Sequence, residues 1–118
     1  MNKYKTGMDG QQAAEAFLLD RGMRILARNW RVKTGEIDLV ARDGEYIVFV
    51  EVKYRSSTAF GYPREAVNAA KQKRIMRTAL NYIARYRLVE CALRFDVVEV
   101  IADKRQLHIS HIENAFGL

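Results

Sequence analysis

The sequence predicts an α/β fold, in which a small mixed β-sheet is flanked by α-helices. Residues 35–55 are typical of two strands joined around Asp43-Gly44, a dipeptide common in hairpin turns. Residues 69–86 have the apolar spacing of an amphipathic helix, and residues 93–102 are typical of a further strand. A strand, a helix and another strand in that order predict a right-handed crossover to a parallel neighbour.

The remaining elements are assigned along the chain. Residues 8–21 contain good helix formers and stop before Gly22, which predicts a first helix. Residues 23–33 are a candidate first strand, and residues 106–112 are a candidate edge strand. Asn68 is the predicted N-cap of the second helix. The predicted apolar stripe of that helix consists of Met76, Ala79, Leu80 and Ile83.

Length and composition narrow the class of protein. The 118 residues predict one domain spanning 1–118, and an apolar content of 49% with a single proline favours a folded globule. The apolar runs are far shorter than the roughly 20 residues of a spanning helix, and the N-terminus lacks a secretory signal, so no membrane partner is expected. Cys91 is the only cysteine, which suits a reducing cytoplasm. One cysteine and two histidines are too few ligands for a structural zinc site of the usual kind.

The charge is positive and unevenly distributed. The formal net charge is +6, and the segment 52–87 holds nine basic residues against the single acid Glu65. The segment 21–33 adds five basic residues and no acid. Such a surface favours a polyanion, either nucleic acid or an acidic membrane face, although lysines and arginines also simply solubilise small domains.

Acidic and basic side chains share one face of the predicted hairpin. Side chains alternate across a strand, so Glu51 and Lys53 point to the same side within an apolar run. With Asp43-Gly44 as a two-residue turn, Glu36 lies opposite Glu51, and Asp38 lies diagonal to Glu51. All four ionisable groups therefore fall on one face, where charges are rarely buried unless they are paired or bind a ligand.

These residues predict a metal site. Three carboxylates so close together repel one another, and Lys53 alone does not balance them. A bound Mg²⁺ or Mn²⁺ would balance the negative charge. We expect this metal ion to be held by Asp38, Glu51 and the backbone carbonyl of Val52. Such a metal positions water for phosphodiester hydrolysis, with Lys53 beside the attacking water or the developing charge. The alternative is a cross-strand ion pair of Lys53 with a glutamate on an exposed sheet face.

Further candidates lie on the helices and after the hairpin. Glu15 falls inside the apolar face of the first helix, so it either points toward the sheet or extends to water, as lone helix glutamates commonly do. The candidate nucleic-acid-binding residues are Arg55, Lys71, Lys73, Arg74 and Arg77. A basic helix face is also often just solvated.

Several motifs resemble one known family. "GEIDLVARDG", "VFVEVKYR", "FGYPREAV", "RFDVVEV" and "ISHIENAF" occur in the order and spacing of the small bacterial YraN-like family. That family resembles a branch of the restriction-endonuclease-like, PD-(D/E)XK superfamily and is similar to archaeal Holliday junction resolvases. The resemblance covers nearly the whole chain and implies a restriction-endonuclease-like mixed sheet flanked by helices.

The resemblance also implies a site and an activity. Asp38 matches the first acid of the signature, Glu51-Val52-Lys53 matches the second element, and Glu15 matches a glutamate usual in resolvase-like members. The resemblance therefore implies that Glu15 joins the other catalytic residues, Asp38, Glu51 and Lys53, where it would orient the attacking water or help to hold a second ion. Ile37 replaces the proline of the signature. The implied function is a metal-dependent endonuclease acting on structured or branched DNA. A nucleic-acid-binding module of the same fold with little catalysis is the alternative, and a two-fold homodimer stays open.

Overall fold

A mixed sheet with a helix on each face forms the protein in this computed structural model, which describes residues 9–56 and 67–117. The elements are α1 (Gly10–Asp20), β1 (Arg24–Val32), β2 (Gly35–Asp43), β3 (Tyr46–Ser56), α2 (Ala69–Arg85), β4 (Ala92–Asp103) and β5 (Gln106–Phe116). The strand order is β1-β2-β3-β4-β5, with β3 and β4 parallel and the other neighbours antiparallel. The predicted α/β class and the crossover to a parallel neighbour are confirmed.

Each face of the sheet carries its own apolar core. On one face, Leu18 of α1 packs in a cluster with Val50 of β3 and Val98 of β4. On the other face, Ile83 of α2 packs in a cluster with Phe49 of β3. Consecutive residues of β3 thus enter opposite layers, as the alternation of a strand requires. Burial on both sides explains why the central strands are nearly continuous apolar runs.

Helix α2 begins where the sequence predicts and turns its predicted apolar stripe to the sheet, with one exception. The Asn68 side chain caps it by accepting a hydrogen bond from the Lys71 backbone N–H at 2.9 Å, which confirms the predicted N-cap. Leu80, expected in the core, is 49% exposed, whereas Tyr82 is 6% exposed and contacts Trp30 edge-on at 5.1 Å. Neither α1 nor α2, the helices of the described residues, is long and apolar enough to span a membrane.

The β2–β3 hairpin differs from the predicted register. Asp43 pairs with Tyr46, so the turn residues are Gly44 and Glu45 rather than Asp43 and Gly44. Gly44 has φ +60°, which glycine adopts freely, and it occupies the first position of the turn. The pairing is therefore displaced by two residues from the predicted one. A two-residue displacement keeps every side chain on its expected face.

A buried aspartate joins the edge strand β5 to the sheet. Both carboxylate oxygens of Asp96 on β4 accept hydrogen bonds at 3.0 Å from the Arg94 guanidinium. Asp96 also accepts the Asn114 backbone N–H at 3.0 Å and shares a 2.7 Å hydrogen bond with His111 Nε2. Asn114 has φ +51°, and the β4–β5 pairing is irregular here. Asp96 thus satisfies the backbone of a bulge.

Candidate metal centre and active site

Asp38 lies where β2 and β3 separate. The ladder between these strands runs from Asp43 to Leu39, which pairs with Val50, and β3 continues beside β4. Asp38 follows at the open end, and its Oδ2 accepts a hydrogen bond from the Val52 backbone N–H at 2.8 Å. The carboxylate thereby satisfies a donor that the ladder no longer reaches. It also fixes Asp38 beside the residue next to Glu51.

Glu51 carries the second carboxylate of the site. It is 6% exposed, and it lies on the α2 face of β3 together with Lys53. Glu51 Oε2 lies 3.6 Å from the Lys53 ammonium and 2.5 Å from the ammonium of Lys71, which α2 supplies. The predicted grouping of Asp38, Glu51 and Lys53 is thus present in the geometry, with Lys71 as an additional member.

The pKa shifts show how strongly these groups interact. Burial raises the pKa of Asp38 to about 6, and repulsion from Glu51 and Glu36 adds to the effect, against the hydrogen bond from Val52. Burial and the nearby Lys71 ammonium lower the pKa of Lys53. Burial alone would lower the pKa of Lys71, but its interactions with Glu51 outweigh burial and the pKa is raised. The acids therefore repel each other while two lysines compete for one glutamate.

An open cleft of about 200 Å³ lies between these acids and α2. Arg74 and Thr78 of α2 line it opposite Gly35 and Glu36, which lie at the start of β2. The Thr78 hydroxyl donates to the Arg74 carbonyl at 2.8 Å and lies 3.1 Å from the Thr34 hydroxyl. These contacts hold the β1–β2 turn against α2. We call this space, with Asp38, Glu51 and Lys71 in it, the acid–lysine cleft.

Glu15 is not brought into the acid–lysine cleft. Its carboxylate accepts two hydrogen bonds from the Arg28 guanidinium, at 2.6 and 2.5 Å, in a separate cleft beside α1. Helix α1 packs on the face of the sheet opposite α2. The expectation that Glu15 joins Asp38 and Glu51 is therefore wrong for this geometry, because a cation on the neighbouring strand β1 takes up its charge.

The predicted nucleic-acid-binding residues separate into three environments. Arg55 Nε lies 2.9 Å from the buried carboxylate of Glu99, so part of its charge is already paired. Lys71 lies inside the acid–lysine cleft on Glu51. The other three, Lys73, Arg74 and Arg77, are exposed on α2. Only Arg74 of these lines the cleft. Of the predicted nucleic-acid-binding residues, Lys73, Arg74 and Arg77 thus form an exposed basic surface on α2.

Sequence reasoning missed two contributions of α2 to the site. Lys71 was expected to contact phosphates, whereas it forms the shortest ion pair of Glu51. Thr78 was not singled out, although its side chain is fully buried beside the cleft. Helical spacing could have indicated both residues, because positions 71, 74, 75 and 78 lie on one side of α2.

The chemistry of the cleft fits a hard divalent cation. Among the residues that the structure describes, no group of three or more His, Cys, Asp or Glu side chains could hold a metal ion. Asp38 and Glu51 nevertheless supply carboxylate oxygens, which Mg²⁺ and Mn²⁺ prefer, and both ions commonly complete their shells with water and substrate oxygens. The pKa of Asp38 is raised first by burial and then by repulsion from Glu51, and a bound cation would offset both. The donor set therefore fits Mg²⁺ or Mn²⁺.

Comparison with known proteins identifies relatives of similar length. The family model described as "Uncharacterised protein family UPF0102" matches residues 10–100. A UPF0102 protein of Symbiobacterium thermophilum is 50% identical over 113 residues, covering 95% of this chain and 96% of the relative. UPF0102 proteins of Alkaliphilus oremlandii and Caldicellulosiruptor saccharolyticus are 49% and 46% identical, each covering 98% of this chain and 100% of the relative.

Proposed function

Because this chain belongs to the family UPF0102, as its resemblance to YraN-like proteins predicted, we propose a function from its geometry rather than from its relatives. We infer that the protein is a metal-dependent endonuclease that hydrolyses phosphodiester bonds of DNA in the cytoplasm, with structured or branched DNA as the expected substrate. A homodimer belongs to the same proposal, since two-fold symmetry suits cleavage of paired strands.

One observation carries the proposal. The hydrogen bond from Val52 N–H fixes Asp38 beside Glu51 at the open end of the β2–β3 ladder, with Lys53 on the same face as Glu51. A cross-strand ion pair, the simpler alternative, would need one acid and one lysine. Here two acids and two lysines converge, and the pKa of Asp38 is raised to about 6. Such shifted groups in a cleft are typical of functional sites.

Each residue has a role that its environment supports. Asp38, Glu51 and the Val52 carbonyl would hold Mg²⁺ or Mn²⁺, which supplies Lewis-acid activation of water and of a phosphate oxygen when bound. Lys53 stands beside Glu51 and would stabilise negative charge that develops on the phosphate. The DNA backbone would be held by Arg74, which lines the cleft, and by Lys73 and Arg77 on the outer side of α2.

The test is cleavage of branched, flapped and linear DNA with Mg²⁺ or Mn²⁺. We expect the wild-type protein to cut at least one substrate, and Glu51→Gln to lose cleavage and metal affinity together while DNA binding persists. Lys53→Ala should lose turnover but keep metal binding, because an ammonium is not a metal ligand. Lys104→Ala, in the β4–β5 turn, serves as the control and should cut normally. Cleavage retained by Glu51→Gln would contradict the assignment.

A non-catalytic nucleic-acid-binding module is the second candidate. The observation in its favour is that Lys71 already neutralises Glu51, so the described residues can satisfy this acid without a metal. This candidate predicts salt-sensitive DNA binding with no cleavage in any metal. Isothermal titration of Mn²⁺ separates the two, because only the nuclease requires binding that depends on Asp38 and Glu51.

A further inference from the structure

Glu51 is paired with a cation from another element rather than mainly with its neighbour on β3. The Lys71 ammonium lies 2.5 Å from Glu51 Oε2, whereas the Lys53 ammonium lies 3.6 Å from the same oxygen. The Glu51 side chain is 7% exposed and that of Lys71 is 34% exposed. The acid is therefore fixed in the sheet, while the lysine reaches it from the rim of the cleft.

Lys71 occupies a position that helix stability alone disfavours. It lies in the first turn of α2, where its backbone N–H is bound by the N-cap Asn68. The positive end of the helix dipole disfavours cations there, and this first turn contains no acid to compensate. Glu51 is the acid that offsets this cost in the structure. The pairing therefore ties the start of α2 to the candidate metal ligand.

We propose that Lys71 is a built-in competitor of the divalent cation. Its ammonium occupies the Glu51 oxygen that a metal would take, so metal entry requires the lysine to leave. This inference rests on the proposed metal site. The long, partly exposed side chain has room to withdraw into the open cleft beside Arg74. Lys71 then sets how much cation the protein needs before the site is loaded, and keeps Glu51 neutralised below that level.

The experiment compares Mn²⁺ affinity across variants of the metal-free protein, read from the electron paramagnetic resonance signal of free Mn²⁺. Lys71→Met removes the competing charge and should bind Mn²⁺ on the order of tenfold more tightly than wild type. Lys71→Gln provides a second neutral variant should the first fold poorly. Lys71→Arg keeps the charge and should stay near wild type. Lys73→Met removes an exposed lysine from the same helix and is the matched control.

The outcomes separate this inference from the proposed function. Tighter binding in both neutral variants but not in Lys73→Met supports competition, even if no variant cuts DNA. Wild-type cleavage together with unchanged Mn²⁺ affinity in Lys71→Met and Lys71→Gln overturns competition and leaves the nuclease in place. Equal tightening in Lys71→Met and Lys73→Met indicates only a change in net charge and also overturns it. Absence of Mn²⁺ binding in every variant overturns both.

Discussion

Two aspartates of the sheet have pKa values that shift in opposite directions. Burial raises the pKa of Asp38 to about 6, and repulsion from the acids Glu51 and Glu36 adds to the shift. Burial acts in the same direction on Asp96, but hydrogen bonds from His111, Arg94 and Asn114 outweigh it and lower the pKa. The neighbours, rather than the degree of burial, thus decide which ionisation state the fold favours.

Asp38→Asn should stabilise the metal-free protein near neutral pH. The pKa of Asp38 is about 6 in the folded state against an ordinary 3.8, so ionisation destabilises the fold increasingly as pH rises through that interval. Asparagine stays neutral and still offers an oxygen to Val52 N–H. We expect a gain on the order of 1–3 kcal/mol at pH 7.5 that is much smaller at pH 4, measured by urea unfolding.

The exposed Asp103→Asn is the control for this variant and should show no comparable gain. A gain for Asp38→Asn of equal size at pH 4 and pH 7.5 would show that ionisation of Asp38 is not its cause.

Asp96→Asn should have the opposite effect. The lowered pKa of Asp96 means that its ionised form stabilises the fold above pH 3.8, and this contribution is lost as pH falls through the lowered value. We expect a loss of about 2–4 kcal/mol at pH 7, because Arg94 would lose its buried partner. The loss should shrink at pH 3. Urea unfolding at both pH values checks this.

Asp43→Asn is the matched control for Asp96→Asn. Asp43 meets the same Arg94 at 3.0 Å but its side chain is 36% exposed, so its removal should cost at most about 1 kcal/mol. Equal losses for the two variants would contradict the role given to burial.

The grouping of the site residues could be predicted from alternation along β3, but their partners could not. Alternation places Glu51 and Lys53 on one face whatever the exact register. Glu15 has a long-range partner, Arg28 on β1, and a helical wheel contains no information about the strand beneath it. Lys71 reaches Glu51 only because α2 crosses back over the sheet. Ion pairs between segments that are distant in the sequence depend on how the elements pack, and the local residue pattern does not predict that packing.

At the scale of elements, the contact between the β1–β2 turn and α2 shapes the cleft. Gly35 has φ +153°, which side chains rarely tolerate, and a Cβ there would lie 2.9 Å from Thr78 Oγ1. Gly35→Ala should therefore push α2 from β2 and destabilise the protein by about 1–3 kcal/mol. Thermal unfolding measures this. Gly117→Ala meets no atom within 4 Å and should be neutral. A stable Gly35→Ala protein with unchanged melting would disprove the tight contact.

Element types were easier to predict than their registers. The strands, both helices and the Asn68 cap follow from periodicity and turn chemistry. The hairpin register was displaced by two residues because Gly44 can occupy either turn position, and it takes the first. Within the α2 stripe Leu80 was misplaced, because Tyr82, packed against Trp30, takes the place in the core that was expected for it. Both choices depend on contacts between elements.

For the whole molecule, the positive charge predicts salt-sensitive binding to DNA. The net charge is +6, and the exposed cations of α2 concentrate it beside the cleft. Replacing Lys73, Arg74 and Arg77 by glutamate should weaken binding to all sequences alike and flatten the dependence on salt. Each lost phosphate contact lowers the slope of log K against log salt by about 0.9. Fluorescence anisotropy over a range of KCl concentrations measures both effects.

Reversal of three cations outside α2 controls for the net charge. Arg24, Lys104 and Arg105 lie on β1 and in the β4–β5 turn, so their replacement by glutamate changes the total charge equally. We expect a smaller loss of affinity from this set. Equal losses would show that DNA is attracted by overall charge and not held by α2.

The crossover between β3 and β4 also sets an order in which the charges can meet during folding. Asp38 and Glu51 belong to one hairpin, whose short loop closes at little entropic cost. Lys71 follows that hairpin in the chain and meets Glu51 only after α2 has docked, a step that pairing of the parallel strands β3 and β4 requires. A nascent hairpin therefore brings Asp38 and Glu51 together before Lys71 arrives. When both acids are ionised, their repulsion opposes the hairpin, so docking of α2, which brings Lys71 to Glu51, completes the hairpin as well as the sheet.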